Sequence, residues 1–197
     1  MTKKGSMPLI MAVVTITIVI IIGLSNAFQY SSHEPIKHGV PDFTHISKQI
    51  NLDELLQEAN NQSISIYLPS EVPNDLELTN IYFRANSFLA IVVYSAEGNK
   101  DYRIAEFGIQ IFHLGKDYTP SFEELQSKHE MNEDESVLLI NTWPVLIYEK
   151  AQFRDDRYGE YAPLVEAYIE GIQYTLAGPN LSSDDFVFII KSMVLNN

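Results

Sequence analysis

The chain has 197 residues, contains no cysteine, and carries 26 acidic against 13 basic residues, for a formal charge of −13. The absence of cysteine excludes disulfides, thiolate metal sites and a cysteine nucleophile. An acidic surface repels phosphates, so a nucleic-acid partner is not expected. A chain of this length can bury one core of its own, and we expect one domain plus an N-terminal segment.

The N-terminus carries an uncharged apolar run at residues 7–24. As a helix this run spans roughly 27 Å, close to the hydrocarbon thickness of a bilayer, about 30 Å. Lys3 and Lys4 precede it, and such basic residues favour the cytoplasmic side. The sequence therefore predicts a cytoplasmic tail over 1–6, a transmembrane helix (a signal anchor) over 7–28 that binds the lipid bilayer, and an extracytoplasmic remainder. The alternative is a signal peptide cleaved near Ala27, which leaves a secreted protein.

Residues 29–49 contain two prolines, a glycine and mixed polar residues without a sustained period. We interpret this segment as a juxtamembrane linker between the anchor and an extracytoplasmic domain over 50–197. The linker holds His33, His38 and His45. A flexible segment does not hold ligands in a fixed geometry, so no metal site is expected there.

The first half of the domain opens with a helix and continues with strand-like runs. Asn51 followed by Glu54 resembles a capping box at the start of a helix. Runs rich in β-branched and aromatic residues predict strands at 64–69, 76–84, 88–96 and 102–114. Short polar links separate the last three runs, which is typical of an antiparallel meander.

The second half begins with a short helix, because Ser121 and Glu124 repeat the capping pattern. Strands are predicted at 137–140, 143–153, 164–169 and 172–176, and a turn at 170–171 joins the last two. The strand at 172–176 is predicted to be the last one of the chain. Ser182 and Asp185 cap a final helix. Its apolar stripe comprises Phe186, Ile189, Ile190, Met193 and Val194. The predicted fold class is α+β: the transmembrane helix followed by a curved antiparallel β-sheet of about six to eight strands packed with a few α-helices.

The C-terminal third contains Glu-Gly-Ile-Gln-Tyr-Thr-Leu-Ala-Gly over 170–178, then Leu-Ser, two aspartates and an apolar helix ending in Lys-Ser-Met. This order resembles the uncharacterised extracytoplasmic family DUF4367, whose members commonly stand behind a single membrane anchor, some on proteins resembling anti-sigma factors. The resemblance implies an anchored external domain, and it transfers no catalytic residue because the family has no assigned chemistry. The chain departs from the family at 141–143, Asn-Thr-Trp, where members tend to have a glycine. Only six residues precede the apolar run, so capture of a sigma factor is not implied.

Motifs that carry catalysis or bind metal are not found in the sequence. Adjacent carboxylates at 123–124, 155–156 and 184–185 fit helix caps or solvated loops better than a glycosidase pair, whose carboxyls face each other across a cleft. The acidic loop 132–136 lacks the ligand spacing of an EF-hand. His113 falls in a predicted strand and His129 in a predicted helix, neither with a patterned partner. We therefore expect no catalytic residue, no cofactor and no metal.

Four tyrosines near the final hairpin are candidates for a groove that binds sugar, peptide or lipid: Tyr158, Tyr161, Tyr168 and Tyr174. Packing in the core or on the sheet surface is the favoured alternative, because aromatic residues commonly fill strand faces. Asn61 and Asn180 begin acceptor sequons for N-glycosylation in predicted loops, usable only where the organism glycosylates.

Together these features predict a membrane-anchored extracytoplasmic module for binding, sensing or an accessory role, without catalysis, whose partner is a protein or a hydrophobic ligand. One alternative is a carrier of a lipid or other hydrophobic molecule, which needs an apolar cavity between sheet and helices. Another is a hydrolase with an unrecognised site, which needs polar residues from different elements to converge in a cleft.

Overall fold

The structure is a computed structural model, and it describes residues 37–38 and 46–196. The predicted tail and anchor, residues 1–28, lie outside this part of the chain. Within the described residues, no helix combines the length and the apolarity that crossing a membrane requires.

The described residues form eleven strands and three α-helices. The strands are β1 (Lys37–His38), β2 (Lys48–Ile50), β3 (Ile66–Pro69), β4 (Glu77–Arg84), β5 (Leu89–Ser95), β6 (Phe107–His113), β7 (Glu135–Ile140), β8 (Trp143–Phe153), β9 (Ala162–Ile169), β10 (Ile172–Ala177) and β11 (Met193–Asn196). The helices are α1 (Leu52–Asn61), α2 (Phe122–His129) and α3 (Ser183–Lys191). This is the predicted mixed α+β class with a mostly antiparallel sheet.

Nine of the strands form one sheet in the order β1-β8-β9-β10-β6-β5-β4-β2, with β7 also paired to β8. All of its pairs are antiparallel except β1 with β8. The remaining strands, β3 and β11, form a separate antiparallel pair. The strand number exceeds the prediction because short strands arise in segments that lack a strand-like period. β1 lies in the predicted linker, β2 begins in it, and β11 begins within the predicted final helix.

All three predicted helix starts are confirmed by their caps. The side chain of Asn51 accepts a hydrogen bond from the Glu54 amide at 2.9 Å. Ser121 and Ser182 do the same for the amides three residues on, each at 3.2 Å. In each case the acid at the third helical position accepts in return from the amide of the capping residue. Each box satisfies amides that would otherwise lack partners and fixes where its helix begins.

The predicted turn at 170–171 is confirmed as the two-residue link between β9 and β10. Glu170 and Gly171 both have positive φ, 49° and 90°, as such tight hairpins require. The carbonyl oxygen of Gly171 accepts hydrogen bonds from the amides of Leu114 and Gly115, at 2.9 and 3.0 Å. A Cβ added at Gly171 would lie 3.0 Å from the backbone nitrogen of Lys116. The turn is therefore packed against the segment that leads into α2.

The strand predicted over 102–114 begins only at Phe107. The preceding residues form a loop that folds over the sheet, where Tyr102 and Ala105 pack on Tyr82, Ile91 and Val93. The rings of Tyr102 and Tyr82 meet edge to face with centroids 5.2 Å apart. Tyr102 and Ala105 are thus buried without strand pairing, whereas Ile104 between them is 58% exposed. A pattern of hydrophobic residues alone does not distinguish such a loop from a strand.

The final helix is shorter than its apolar stripe suggests, and the expectation that no strand follows 172–176 is wrong. The helix ends at Lys191, and Met193 and Val194 belong to β11 instead. The Ser192 hydroxyl lies 2.8 Å from the carbonyl oxygen of Ile189 and 2.9 Å from that of Glu71. The backbone then pairs with β3, whose amide and carbonyl groups would otherwise lack partners. Tertiary pairing overrides the helical period here.

The nine-stranded sheet carries a layer on each face. We call core face the side that packs against α1, α3, β3 and β11, where the largest cluster of buried apolar residues lies. Its fully buried members include Tyr174, Phe107 and Phe186. We call outer face the opposite side, which α2 and the loop before β6 cover with two smaller clusters. Because only part of the outer face is covered, this side leaves room for a site.

Candidate functional site

A cleft of about 500 Å³ opens on the outer face between α2, the segment leading into it, and strands β8 to β10. We call it the α2 cleft. The helix contributes Glu124, Lys128 and His129 to its wall. The polar residues contributed by the sheet are Tyr148, Glu166, Tyr168 and Gln173. Side chains from a helix and from three neighbouring strands therefore line a single concavity.

Strand register explains why the sheet residues share this side. Glu166 lies opposite Leu146 in the β8–β9 pair, and Tyr168 lies opposite Gln173 in the β9–β10 pair. Directly opposed residues point to the same face of a sheet. Leu146 and Tyr168 form a small buried cluster with Leu125 of α2, which holds the helix against the strands. This apolar contact holds α2 in place as one wall of the cleft, and polar side chains of α2 and of the sheet line the space between them.

The carboxylate of Glu166 and the phenol of Tyr168 form a hydrogen-bonded pair in this cleft. The Tyr168 hydroxyl donates to Oε2 of Glu166 at 2.7 Å. Burial, followed by the negative charge of Glu166, raises the pKa of Tyr168 above its ordinary value. Burial, with the charges of Glu166 and Glu135, does the same to the pKa of Tyr148. Both phenols therefore remain protonated at neutral pH, and the Tyr168 hydroxyl is committed to Glu166.

A second polar group lies where α2 ends. Nδ1 of His129 contacts Oε2 of Glu135 in a hydrogen bond, and Asn132 Nδ2 donates to Oε1 of the same carboxylate at 2.7 Å. The ring of His129 meets that of Tyr148 edge to face, with centroids 6.3 Å apart. Glu135 thus fixes the orientation of the imidazole. A histidine held by a carboxylate can move protons, given a substrate within reach.

The sequence interpretation missed both groups. His129 and Glu135 lie on different elements, a helix and a strand, and the intervening turn alone brings them together. Glu166 had a recognisable signal, because it is the one charged residue in the otherwise apolar strand β9. A single acid in a strand that is covered on both faces is unusual. That signal identifies the residue but not its neighbours.

The structure does not bring the four candidate groove tyrosines together. Tyr168 lies in the α2 cleft, whereas Tyr174 is fully buried on the core face, where its hydroxyl accepts from the Tyr67 amide at 2.9 Å. Tyr158 stacks on Phe153 with ring centroids 4.0 Å apart, and burial raises its pKa to about 12. Tyr161 is 46% exposed. Two of the four thus pack into the domain, one lines the cleft and one is exposed.

The other singled-out residues have local roles or open surroundings. Of the adjacent acids, Glu124 and Asp185 belong to helix caps, and Asp155 pairs with Arg157 at 2.6 Å. The sequon residues Asn61 and Asn180 are both exposed, at the end of α1 and in the turn before α3. Across residues 46–196, no group of three or more acids and histidines has the arrangement of a metal site. His33 and His45 lie outside the described residues.

Comparisons with protein-family models, with curated proteins and with solved structures give no match to this chain. The resemblance to DUF4367 therefore stays a prediction.

Proposed function

We propose that the chain is a membrane-anchored extracytoplasmic binding module whose ligand surface is the α2 cleft. The observation that carries the proposal is the convergence of Tyr148, Glu166, Tyr168 and Gln173 from three strands into one cleft of about 500 Å³. Ligand sites are typically concave, with a few polar groups fixed by a rigid scaffold. The sheet supplies that scaffold, and the apolar contact of α2 holds the wall.

A carrier of a hydrophobic ligand is less well supported by this geometry. Such a carrier holds its ligand in an apolar cavity between sheet and helices. Large side chains of the protein itself occupy that layer on the core face, among them Phe107, Tyr174 and Phe186, each at most 1% exposed. The α2 cleft, in contrast, is lined largely by polar groups, which favours a polar ligand.

A hydrolase is the second candidate, and the His129–Glu135 pair favours it. The pair would act as a general base on a substrate or on water in the cleft. Among residues 46–196, however, the one hydrogen-bond partner of His129 is Glu135, so no serine or threonine hydroxyl is activated by it. Binding is therefore the proposal, with proton transfer at His129 as its alternative.

Occupancy of the cleft in the cell can be measured without knowing the ligand. A neutral diazo reagent that esterifies carboxylates is expected to modify Glu166 several-fold more slowly on intact cells than on the purified full chain, because a bound ligand shields this residue. Glu160 is the matched control, since it is exposed and lies before the same strand, outside the cleft. Its rate of modification is expected to be the same in both samples. Equal rates for Glu166 in both samples would leave the α2 cleft without an occupant and remove the proposal.

The placement outside the membrane has a separate test. Protease added to intact cells is expected to destroy an epitope placed after Asn197 and to spare an epitope placed before Met1, because the anchor over 7–28 separates the two. Permeabilised cells, in which both epitopes are lost, are the control. Survival of the C-terminal epitope on intact cells, while a known surface protein is digested, contradicts the placement. Release of the domain into the medium without the N-terminal epitope indicates a cleaved signal peptide.

A further inference from the structure

The ionisable groups that line the α2 cleft are mostly acids. Asp117, Glu124 and Glu166 contribute carboxylates, and Lys128 contributes one ammonium group from the exposed side of α2. His129 is engaged by a further carboxylate, Glu135. The whole chain adds to this field, with twice as many acidic as basic residues. An anionic ligand is therefore disfavoured at this site, and a cation is attracted to it.

Glu166 is the acid of this cleft that is best placed to bind a positively charged group. It lies on β9, inside the sheet between β8 and β10, and is half-buried. Among the described residues, the Tyr168 hydroxyl is its one hydrogen-bond donor, and that bond goes to Oε2. No lysine or arginine of this part of the chain lies within salt-bridge distance of Glu166. Oε1 accepts no hydrogen bond from the described residues, so this oxygen can accept a charge-assisted hydrogen bond from a positively charged ligand.

Aromatic rings stand beside this carboxylate. The phenols of Tyr148 and Tyr168 share the sheet surface with Glu166, and Tyr118, 77% exposed, stands at the edge of the same cleft. The face of an aromatic ring attracts a cation, and the attraction grows when water is partly excluded. A carboxylate flanked by aromatic rings is the arrangement that recognises organic ammonium and guanidinium groups, because it offers one charge-assisted hydrogen bond and one or more π faces.

We infer that the ligand of the α2 cleft is an organic cation, whose ammonium or guanidinium group pairs with Oε1 of Glu166 beside the rings of Tyr148 and Tyr168. This inference rests on the proposed function, since it names the chemical class of the ligand for the same site. A neutral polyol would leave Glu166 without a counter-charge. Two sources supply the same chemistry: a free diamine or polyamine, and the side chain of a lysine or arginine in a peptide.

The test is calorimetric titration of the full chain in detergent micelles with small probes that differ in charge. Putrescine and the longer spermidine represent the cation, butanediol the neutral isostere of putrescine, and succinate the anion. A tripeptide with a central lysine, and the same peptide with that lysine acetylated, distinguish a peptide source from a free amine. We expect saturable binding of at least one cationic probe, and none of butanediol, succinate or the acetylated peptide.

Two variants decide whether Glu166 is responsible. Glu166→Gln keeps an acceptor for Tyr168 but removes the charge, and it is expected to weaken binding of the cationic probe by about 10-fold or more. Glu160→Gln removes the same charge from an exposed position outside the cleft and is expected to change the affinity less than about 2-fold, as for an exposed charge. Equal losses in both variants would show attraction to the acidic surface as a whole and overturn the inference. Unchanged guanidinium unfolding curves for both variants exclude a folding defect as the cause.

The inference and the proposed function fail in different ways. If Glu166 is shielded on intact cells but none of the cationic probes binds, the cleft is a binding site for another class of ligand. Binding of butanediol or succinate that depends on Glu166 has the same meaning. If Glu166 is not shielded on cells and no probe binds, both proposals fall together. Shielding on cells, together with binding of a cation that depends on Glu166, supports both.

Discussion

Replacing Phe186 with alanine is expected to lower the free energy of unfolding by about 3–5 kcal/mol, the range for removing a buried phenylalanine ring. The side chain is fully buried and its ring centroid lies 6.1 Å from that of Phe107. It belongs to the first turn of α3 and fastens this helix to the core face. The lost stability has two parts: the hydrophobic free energy of the removed ring, and the cost of the cavity that remains. Because the capping box fixes the start of α3, the helix cannot readily move to close this cavity.

Phe188 provides the matched control, because it has the same side chain two residues further along the same helix and is 45% exposed. Phe188→Ala is expected to cost less than about 1 kcal/mol. Both values come from guanidinium unfolding of the full chain in detergent, followed by the fluorescence of Trp143, the one tryptophan. This residue packs edge to face on Tyr67 at 5.2 Å and so reports on the core face. Similar costs for the two variants would contradict the docking of α3.

Gly171→Ala is the second large effect, expected to lower the free energy of unfolding by about 2–4 kcal/mol. Two causes add together. The residue has φ of 90°, a conformation that L-amino acids adopt only at a cost. The new Cβ would also lie 3.0 Å from the Lys116 nitrogen and 3.2 Å from the Gly115 carbonyl carbon, both backbone atoms that cannot rotate away. Relief requires the segment before α2 to move.

Gly98→Ala separates these causes, because Gly98 has φ of 76° but no atom of the described residues within 4 Å of its added Cβ. Its expected cost is about 1–2 kcal/mol, the conformational part alone. The difference between the two variants measures the contact of Gly171 with the segment before α2. That segment borders the α2 cleft, so Gly171→Ala is also expected to weaken any ligand bound there. Equal costs in the two variants would mean that the turn and the segment do not touch as described.

Local signals predicted much of the domain because they are set by neighbouring residues. Each helix start followed from a side chain that accepts from an amide three positions on, as at Asn51, Ser121 and Ser182. The turn at 170–171 followed from a glycine that tolerates positive φ. The central strands β4, β5, β8 and β10 followed from continuous runs of β-branched and aromatic residues.

Features that depend on distant parts of the chain were not predictable in this way. Met193 fits the helical stripe equally well, and only pairing with β3 makes it a strand residue. Tyr168 and Tyr174 are neighbours in one hairpin, yet Tyr174 lies opposite Ala167, so strand register places the two rings on opposite faces. The α2 cleft forms only when α2 packs beside β8, β9 and β10, three strands that come later in the chain.

The pairing of β3 with β11 determines when the domain can finish folding. It joins backbone groups from the beginning and the end of the domain. Beside the pair, the Ser70 amide donates to the carbonyl oxygen of Ser192, 122 positions away, at 3.1 Å. Until the last residues have been synthesised, Ile66 and Leu68 lack the helix and strand that bury them. Topologies rich in such distant contacts fold slowly, commonly in milliseconds to seconds. A growing chain of this kind therefore stays loosely structured until its C-terminal residues have been made.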